Sequence, residues 1–231
     1  MVYYRYKSYR FIEPNIIFRL LKDKPFVFFL DSSLKRNSSG RYSFLGAEPF
    51  FIFKSKSKEP FSELRRHFNK FRNPLRLPFP FWGGLVGYLT YDLGFSLEKK
   101  VVPQKEPYLD IPECFFGFYN WVFIFDHFKK KFYIFCLGFP EKTYSLSKSL
   151  CESNFKKLRQ ILEKLNFKPP QNNSGLSEIP DLASDFTKET YIRAIKRAKD
   201  YIRRGEIYQV NLSQRFEAKI NLDGFFLYQN L

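Results

Sequence analysis

The most regular pattern of apolar and polar positions lies near the end of the sequence. Between Thr187 and Gly205, apolar residues recur at three- and four-residue spacing, with a threonine able to cap a helix at the start and a glycine at the end. From Tyr208 to Ile220, apolar side chains instead alternate with amides, hydroxyls and charged groups, as on a half-exposed strand. The pattern predicts a helix followed by a long strand.

Shorter patterns before that point indicate a region dominated by strands. Apolar runs bounded by turn residues predict strands in KPFVFFLDSS, GRYSFLGAEPFFIFKSK and FFGFYNWVFIFDHFKKKFYIFCLGF. The third of these segments is predicted to form two strands joined by a DHFKKK turn. Helical spacing of apolar residues predicts one helix around 61–71 and another around 158–165.

A polar segment divides the chain. KPPQNNSGLSEIPDLASD is rich in proline, asparagine, serine and glycine and has no periodicity, so residues 168–185 are predicted to form an exposed linker. The sequence is thereby divided into a first region, 1–167, and a second region, 186–231.

Composition indicates a globular protein and excludes several other classes. The chain of 231 residues is 44% hydrophobic and 20% aromatic, far more than disordered chains contain. Its three cysteines follow no metal-binding spacing, and their odd number argues against a disulfide framework. The N-terminal segment has no signal-peptide core, and no apolar run approaches the roughly twenty residues that span a bilayer. No membrane association is predicted.

A net charge of +16 changes this picture only slightly. The lysines and arginines are scattered, and no nucleic-acid-binding motif accompanies them. We therefore expect no specific nucleic-acid binding, and a basic surface that also suits an acidic partner or an anionic substrate.

Familiar catalytic and phosphate-binding motifs are missing from the sequence. The two histidines, His67 and His127, are predicted to lie on the surface, which gives little support to a metal site or a Ser-His-Asp triad. The glycines at 83, 84 and 87 do not have the order of a phosphate-binding loop, and close packing of strands accounts for them better.

The polar face of the predicted C-terminal strand is a candidate binding surface. It carries Gln209, Asn211, Ser213 and Arg215, whose amides, hydroxyl and guanidinium suit a small carboxylated ligand. On periodicity alone, a merely solvated face is the better interpretation, because half-exposed antiparallel strands commonly show this pattern.

Four ordered motifs carry a family resemblance. GRYSFLGAEP, GGLVGYLTYDLG, FGFYNWVFIFDH and YIRRGEIYQVNLSQRF resemble the first half of aminodeoxychorismate synthase component I, also called para-aminobenzoate synthase component I. Anthranilate synthase component I, a near relative, shares most of these motifs. The segments YDLG and YNW favour the para-aminobenzoate branch.

The resemblance implies a fold and an activity. The fold is α+β, with two packed antiparallel β-sheets and outer helices, and the location is cytoplasmic. The activity is conversion of chorismate and ammonia to 4-amino-4-deoxychorismate, with ammonia supplied by a glutamine amidotransferase subunit. The alternatives are an anthranilate synthase component I fragment of the tryptophan branch, or a non-catalytic module that binds aromatic amino acids.

The resemblance also implies that the catalytic half is absent. In the family, the QVNLSQRF strand begins the chorismate-binding half. The resemblance therefore implies that 1–167 form an anthranilate synthase component I N-terminal-like region and that 186–231 are the incomplete start of the chorismate-binding region. The acid or base glutamate, a PIKGT-like lysine segment and the carboxylates that hold magnesium lie beyond that strand in the family. We therefore expect a truncated chain that holds no magnesium and is inactive alone, with a C-terminal catalytic fragment as a further partner.

Tryptophan is the ligand that the resemblance implies for the early strands. The matching positions are Ser32, Ser39, Gly40, Arg41 and Tyr42. We expect the Ser32 hydroxyl to bind the ammonium group, backbone groups near Gly40 to fix the ligand, and the Tyr42 ring to form an apolar wall.

Overall fold

The structure, a computed structural model, describes residues 2–34, 40–55, 59–72, 76–98, 109–165 and 180–230. The chain divides into two compact units, Met1–Phe167 and Lys168–Leu231. Each unit contains its own strands and helices.

The described part of the first unit contains two antiparallel sheets. The strands are β1 (Tyr4–Arg10), β2 (Phe28–Leu30), β3 (Tyr42–Gly46), β4 (Phe51–Ser55), β5 (Gly84–Leu89), β6 (Cys114–Tyr119), β7 (Trp121–Asp126) and β8 (Lys131–Leu137). One sheet has five strands in the order β1-β8-β7-β3-β2, and the other has three in the order β4-β6-β5. Every described pairing in both sheets is antiparallel.

Four helices accompany these sheets: α1 (Pro14–Leu21), α2 (Pro60–Lys70), α3 (Leu93–Leu97) and α4 (Tyr144–Glu163). The helices α1 and α4 cover one face of the five-stranded sheet, where Ile17, Cys151 and Phe155 are buried in the same core as Phe123 and Phe132. Thr143 begins α4, because its hydroxyl oxygen accepts a hydrogen bond from the Leu146 backbone N–H. None of the described helices has the length and apolarity needed to cross a membrane.

The strand β7 supplies side chains to two cores. Phe123 and Phe125 face the helices, whereas Val122 and Ile124 face a second cluster that includes Tyr119 of β6. Every residue of β7 is buried, so positions 121–125 form a continuous apolar run instead of alternating. The five-stranded sheet is therefore the middle layer of the unit, as in the predicted fold of packed sheets with outer helices.

The second unit contains two short strands and two helices: β9 (Ala183–Ser184), α5 (Lys188–Arg203), β10 (Phe216–Glu217) and α6 (Gly224–Gln229). The predicted helix is confirmed as α5. Its first turn has a reciprocal capping box between Thr187 and Thr190, and Gly205 follows it with a φ of 74°. None of the described residues of this unit is buried.

The predicted long strand is wrong over most of its length. Between Tyr208 and Ile220, only Phe216 and Glu217 pair, with Ser184 and Ala183 respectively. Alternation specifies the two faces of a strand but does not supply the partner backbone that its N–H and C=O groups need. Here β9 pairs with two residues and the rest of the segment is not paired as a strand.

Three further points of comparison with the sequence predictions concern the number and the bounds of the elements. The segment predicted as two strands around DHFKKK forms three, because Asn120 separates β6 from β7. The N-terminal elements β1 and α1 were not predicted. Residues 168–179 of the predicted linker lie outside the described residues, and its last part contains β9.

Candidate functional site

The candidate tryptophan site lies where β2 ends and β3 begins, beside the end of β7. The pairing of Leu30 with Phe44 and of Tyr42 with Asp126 brings these three strand ends together. Four of the five predicted residues, Ser32, Gly40, Arg41 and Tyr42, are therefore neighbours in the fold. Ser39 lies outside the described residues.

Ser32 is fixed by two hydrogen bonds to β3. Its backbone N–H donates to Ser43 Oγ over 3.0 Å, and its own Oγ donates to the carbonyl oxygen of Tyr42 over 2.7 Å. The hydroxyl proton is thereby used within the protein, but the oxygen keeps lone pairs that accept from an ammonium group. The geometry is compatible with the role predicted for Ser32.

Arg41 forms a forked ion pair with the buried carboxylate of Asp126. Arg41 Nη2 lies 2.7 Å from Asp126 Oδ2, and Arg41 Nε lies 3.2 and 3.1 Å from Oδ1 and Oδ2. Asp126 Oδ1 also accepts from the backbone N–H groups of Phe128 and Lys129 at 3.1 and 3.0 Å. Such paired, charge-assisted bonds are among the strongest in proteins.

The pKa values of this pair follow from its contacts. Burial acts to raise the pKa of Asp126, but the hydrogen bonds from Arg41 and from the two backbone N–H groups outweigh it and leave the pKa lowered. The hydrogen bond to Asp126 raises the pKa of Arg41. The Arg41 guanidinium also lies 4.7 Å from the ring centre of Tyr42, which keeps that ring at the site.

A buried polar cluster that the sequence analysis missed lies behind Ser32. Ser43 is fully buried, and its Oγ donates to Asp31 Oδ1 over 2.8 Å and lies 2.8 Å from His127 Nε2. Since that hydroxyl proton goes to Asp31, Nε2 of His127 must carry the proton of its bond to Ser43. The arrangement orients Ser32 and does not activate Ser43 as a nucleophile, because the acceptor of the Ser43 proton is the carboxylate.

The surface position predicted for His127 is wrong. The residue is 4% exposed, and its ring lies against Ser43 Oγ at 2.8 Å and against the Phe11 ring at 5.6 Å. Its backbone N–H continues the pairing of β7 with β3 by donating to the Arg41 carbonyl oxygen over 2.9 Å. His67 is partly exposed and its ring stacks on Phe51 at 4.9 Å. Ser43 belongs to the GRYSFLGAEP motif, but no local pattern in that motif indicates its contact with His127.

The polar face predicted near the C-terminus is not assembled on a sheet within the second unit. Gln209, Asn211, Ser213 and Arg215 are all exposed, and the strand that was to carry them is not formed at these positions. The Arg215 side chain lies 2.8 Å from the carboxylate of Glu217. The second unit by itself therefore presents these groups to solvent.

The remaining sequence signals concern metals and glycines. Within the described residues, no three histidine, cysteine or carboxylate side chains converge as a candidate metal site. Close strand packing is confirmed for Gly87, where a Cβ would overlap the carbonyl oxygen of Phe115 on β6. The same prediction is wrong for Gly84, where a Cβ would meet nothing within 4 Å.

Comparison with known proteins adds family information. A family model described as chorismate binding enzyme matches residues 26–231. Anthranilate synthase alpha subunit 2, chloroplastic, from Arabidopsis thaliana is 35% identical over 170 residues, covering 67% of this chain and 27% of that protein. Anthranilate synthase component 1 from Bacillus subtilis is 28% identical over 236 residues, covering 90% of this chain and 45% of that protein.

A solved structure has a similar fold. The crystal structure of anthranilate synthase component I from Streptococcus pneumoniae matches with a TM-score of 0.63 and 25% identity, over 84% of this chain and 46% of that chain. The present chain spans less than half the length of each of these three relatives.

Proposed function

The chain belongs to the chorismate-binding enzyme family, and on that premise we propose that it supplies the N-terminal part of an enzyme that aminates chorismate. The observation that carries the proposal is the family match over residues 26–231, supported by the likeness to anthranilate synthase component I. The relatives extend well beyond the part that this chain matches, and we propose that the catalytic groups of the enzyme lie in that further part.

Anthranilate formation is the branch that the relatives favour. The proteins named above are anthranilate synthases, which supports the tryptophan branch better than the para-aminobenzoate branch preferred from the sequence motifs. Formation of 4-amino-4-deoxychorismate is the second candidate, and the segments YDLG and YNW favour it. The two candidates share chorismate and ammonia and differ in product.

The partners follow from the same proposal. An ammonia-dependent reaction needs a source of ammonia, for which we propose a glutamine amidotransferase subunit. The net charge of +16 suits association with an acidic partner and attraction of the anionic chorismate.

Regulation by tryptophan is proposed at the site around Ser32. The Ser32 oxygen retains acceptor capacity, and the half-buried Tyr42 ring offers an apolar wall beside it. Calorimetry on the chain reconstituted with a C-terminal fragment of a relative should show weaker tryptophan binding for Ser32→Ala and unchanged binding for Ser33→Ala, an exposed neighbour. Equal binding by both variants would refute the assignment.

The activity is tested by product formation from chorismate, ammonia and magnesium. We expect no turnover by the 231-residue chain alone, and turnover when a C-terminal fragment of a relative is added. Anthranilate is detected by its fluorescence, and aminodeoxychorismate by para-aminobenzoate released with the appropriate lyase. Turnover by the chain alone would place catalytic groups within this sequence. Tryptophan binding without turnover in any combination would instead favour a non-catalytic binding module.

A further inference from the structure

A separate cavity of about 320 Å³ lies in the first unit, between the end of α2 and the segment that enters β5. Aromatic rings form much of its lining, among them Phe50, Phe71, Phe139, Phe81 and Trp82. Of the residues assigned above to the tryptophan site, the four that the structure describes, Ser32, Gly40, Arg41 and Tyr42, do not line it. Its volume falls within the roughly 300–1,000 Å³ typical of pockets for small ligands.

The rings of this cavity are held in place by packing against one another. Phe50 and Phe71 meet edge to face with 5.1 Å between ring centres, and Phe71 and Phe139 do so at 6.1 Å. The Trp82 ring lies 5.9 Å from that of Phe135, which is fully buried. The cavity is therefore formed before any ligand arrives, and a planar ligand gains ring contacts without ordering the wall.

Polar features of the lining are few and specific. Arg72 carries the only formal charge among the lining residues that the structure describes. Tyr119 contributes its ring alone, because its hydroxyl donates to the Phe26 carbonyl oxygen over 2.7 Å and burial raises its pKa to about 12. At Gly84 a Cβ would meet nothing within 4 Å, so the backbone there borders open space.

We infer that this cavity binds a small planar aromatic acid. Ring faces and edges favour an aromatic body over an aliphatic one, and the guanidinium of Arg72 favours a carboxylate. A cationic ligand is disfavoured by Arg72 and by the basic charge of the whole chain. A phosphorylated ligand would require more donors than one guanidinium. The inference rests on the lining of the cavity and is independent of the function proposed above.

The direct test is a titration of the full chain with 4-iodobenzoate, followed by calorimetry and tryptophan emission. For a ligand of this size we expect a dissociation constant on the order of 1 mM. Iodine quenches an indole only on contact, so the signal reports on Trp82; the second tryptophan, Trp121, is 4% exposed in the core beneath the helices. Trp82→Phe should remove the quenching while calorimetric binding persists.

Two matched pairs of variants locate the site. Phe68 lines the cavity and Phe61 does not, and both are exposed on α2, by 46% and 40%. Phe68→Glu should weaken 4-iodobenzoate binding about 5-fold, because it removes a ring from the lining and places a carboxylate at the rim, whereas Phe61→Glu should leave binding unchanged.

The second pair tests the charge. Arg72→Gln should weaken 4-iodobenzoate binding about 2- to 5-fold, the range of an exposed ion pair, with no effect on the uncharged 4-iodobenzamide. Arg65→Gln, on the exposed surface of α2, should change neither ligand. The inference is overturned if no binding is detected at about 10 mM, tenfold above the expected constant. It is also overturned if Phe68→Glu and Phe61→Glu behave alike, or if quenching survives in Trp82→Phe.

Discussion

Replacing Asp126 with asparagine tests the ion pair that fixes one side of the candidate tryptophan site. The Asp126 side chain is 2% exposed and that of Arg41 is 33% exposed. In Asp126→Asn, the amide oxygen can still accept the two backbone N–H groups at the Oδ1 position. The amide NH₂ then occupies the position of Oδ2, where two donors face each other across the 2.7 Å contact with Arg41.

The magnitude follows from what is lost. A hydrogen bond to a charged group contributes about 1.5–3 kcal/mol, and we expect Asp126→Asn to lower the free energy of unfolding of the first unit by that amount at pH 7. The larger cost of breaking a fully buried pair, about 3–5 kcal/mol, does not apply, since water reaches part of Arg41 and offsets the loss.

The same substitution has a defined pH dependence. The folded-state pKa of Asp126 is lowered, so the pair stabilises the protein above the unfolded-state value of about 3.9. This stabilisation is lost as pH falls through the lower folded-state pKa. The difference between wild type and Asp126→Asn should therefore be full at pH 7 and shrink progressively below about pH 4.

Urea unfolding monitored by circular dichroism measures both quantities. The control is Asp23→Asn, which removes a carboxylate whose side chain is 87% exposed and lies 3.6 Å from Lys22. We expect the control to change stability by less than about 0.5 kcal/mol. An equally small effect of Asp126→Asn at pH 7, or an effect that is the same at pH 3, would refute the reasoning.

Three further predictions concern packing, thiol reactivity and charge. Gly87→Ala should destabilise the first unit by about 3 kcal/mol in thermal or urea unfolding, because its Cβ would overlap a backbone carbonyl of β6, whereas Gly94→Ala, which meets open space, should not. Burial raises the pKa of Cys136 well above its usual value and that of Cys151 to about 12, so neither thiol should react with a disulfide reagent at pH 8 until the protein unfolds. Nucleic-acid binding should be weak, independent of sequence and abolished at physiological salt in a filter assay, and nanomolar selective binding would contradict this.

Elements with complete local signals were predictable from the sequence. The helix α5 has its capping threonine, its apolar face and its terminal glycine within one segment, and the structure places all three as expected. By contrast, Asn120 interrupts an apolar run that reads as continuous strand. Its side-chain amide donates to the Phe139 carbonyl oxygen over 2.6 Å, and its backbone carbonyl oxygen accepts from the Leu137 N–H over 2.7 Å. Because those partners belong to another strand and a loop, no local sequence pattern indicates that the strand is interrupted at Asn120.

The predicted strand after α5 shows the converse limit. Alternation between Tyr208 and Ile220 is a property of the sequence, but pairing is a property of two segments, and β9 offers a partner only at Ser184 and Ala183. The exposed fraction of Tyr208 is 96% and that of Phe216 is 59%. In the second unit, the apolar positions of the predicted strand are therefore not covered by other described residues.

The candidate tryptophan site depends on side chains that its ligand would not touch. The register of β3 against β7 sets Arg41 beside Asp126 and Ser43 beside His127. Arg41 then lies over the Tyr42 ring, and Ser43 accepts the Ser32 N–H. The family resemblance suggests Ser32, Arg41 and Tyr42 as side chains of the ligand site, and this assignment stays a prediction. The supporting residues on β7 are visible only once the strands are paired, because their role is to fix the backbone of β3 and the turn after β2. A substitution at the end of β7 is therefore expected to alter ligand binding through the position of Ser32 rather than through lost contacts.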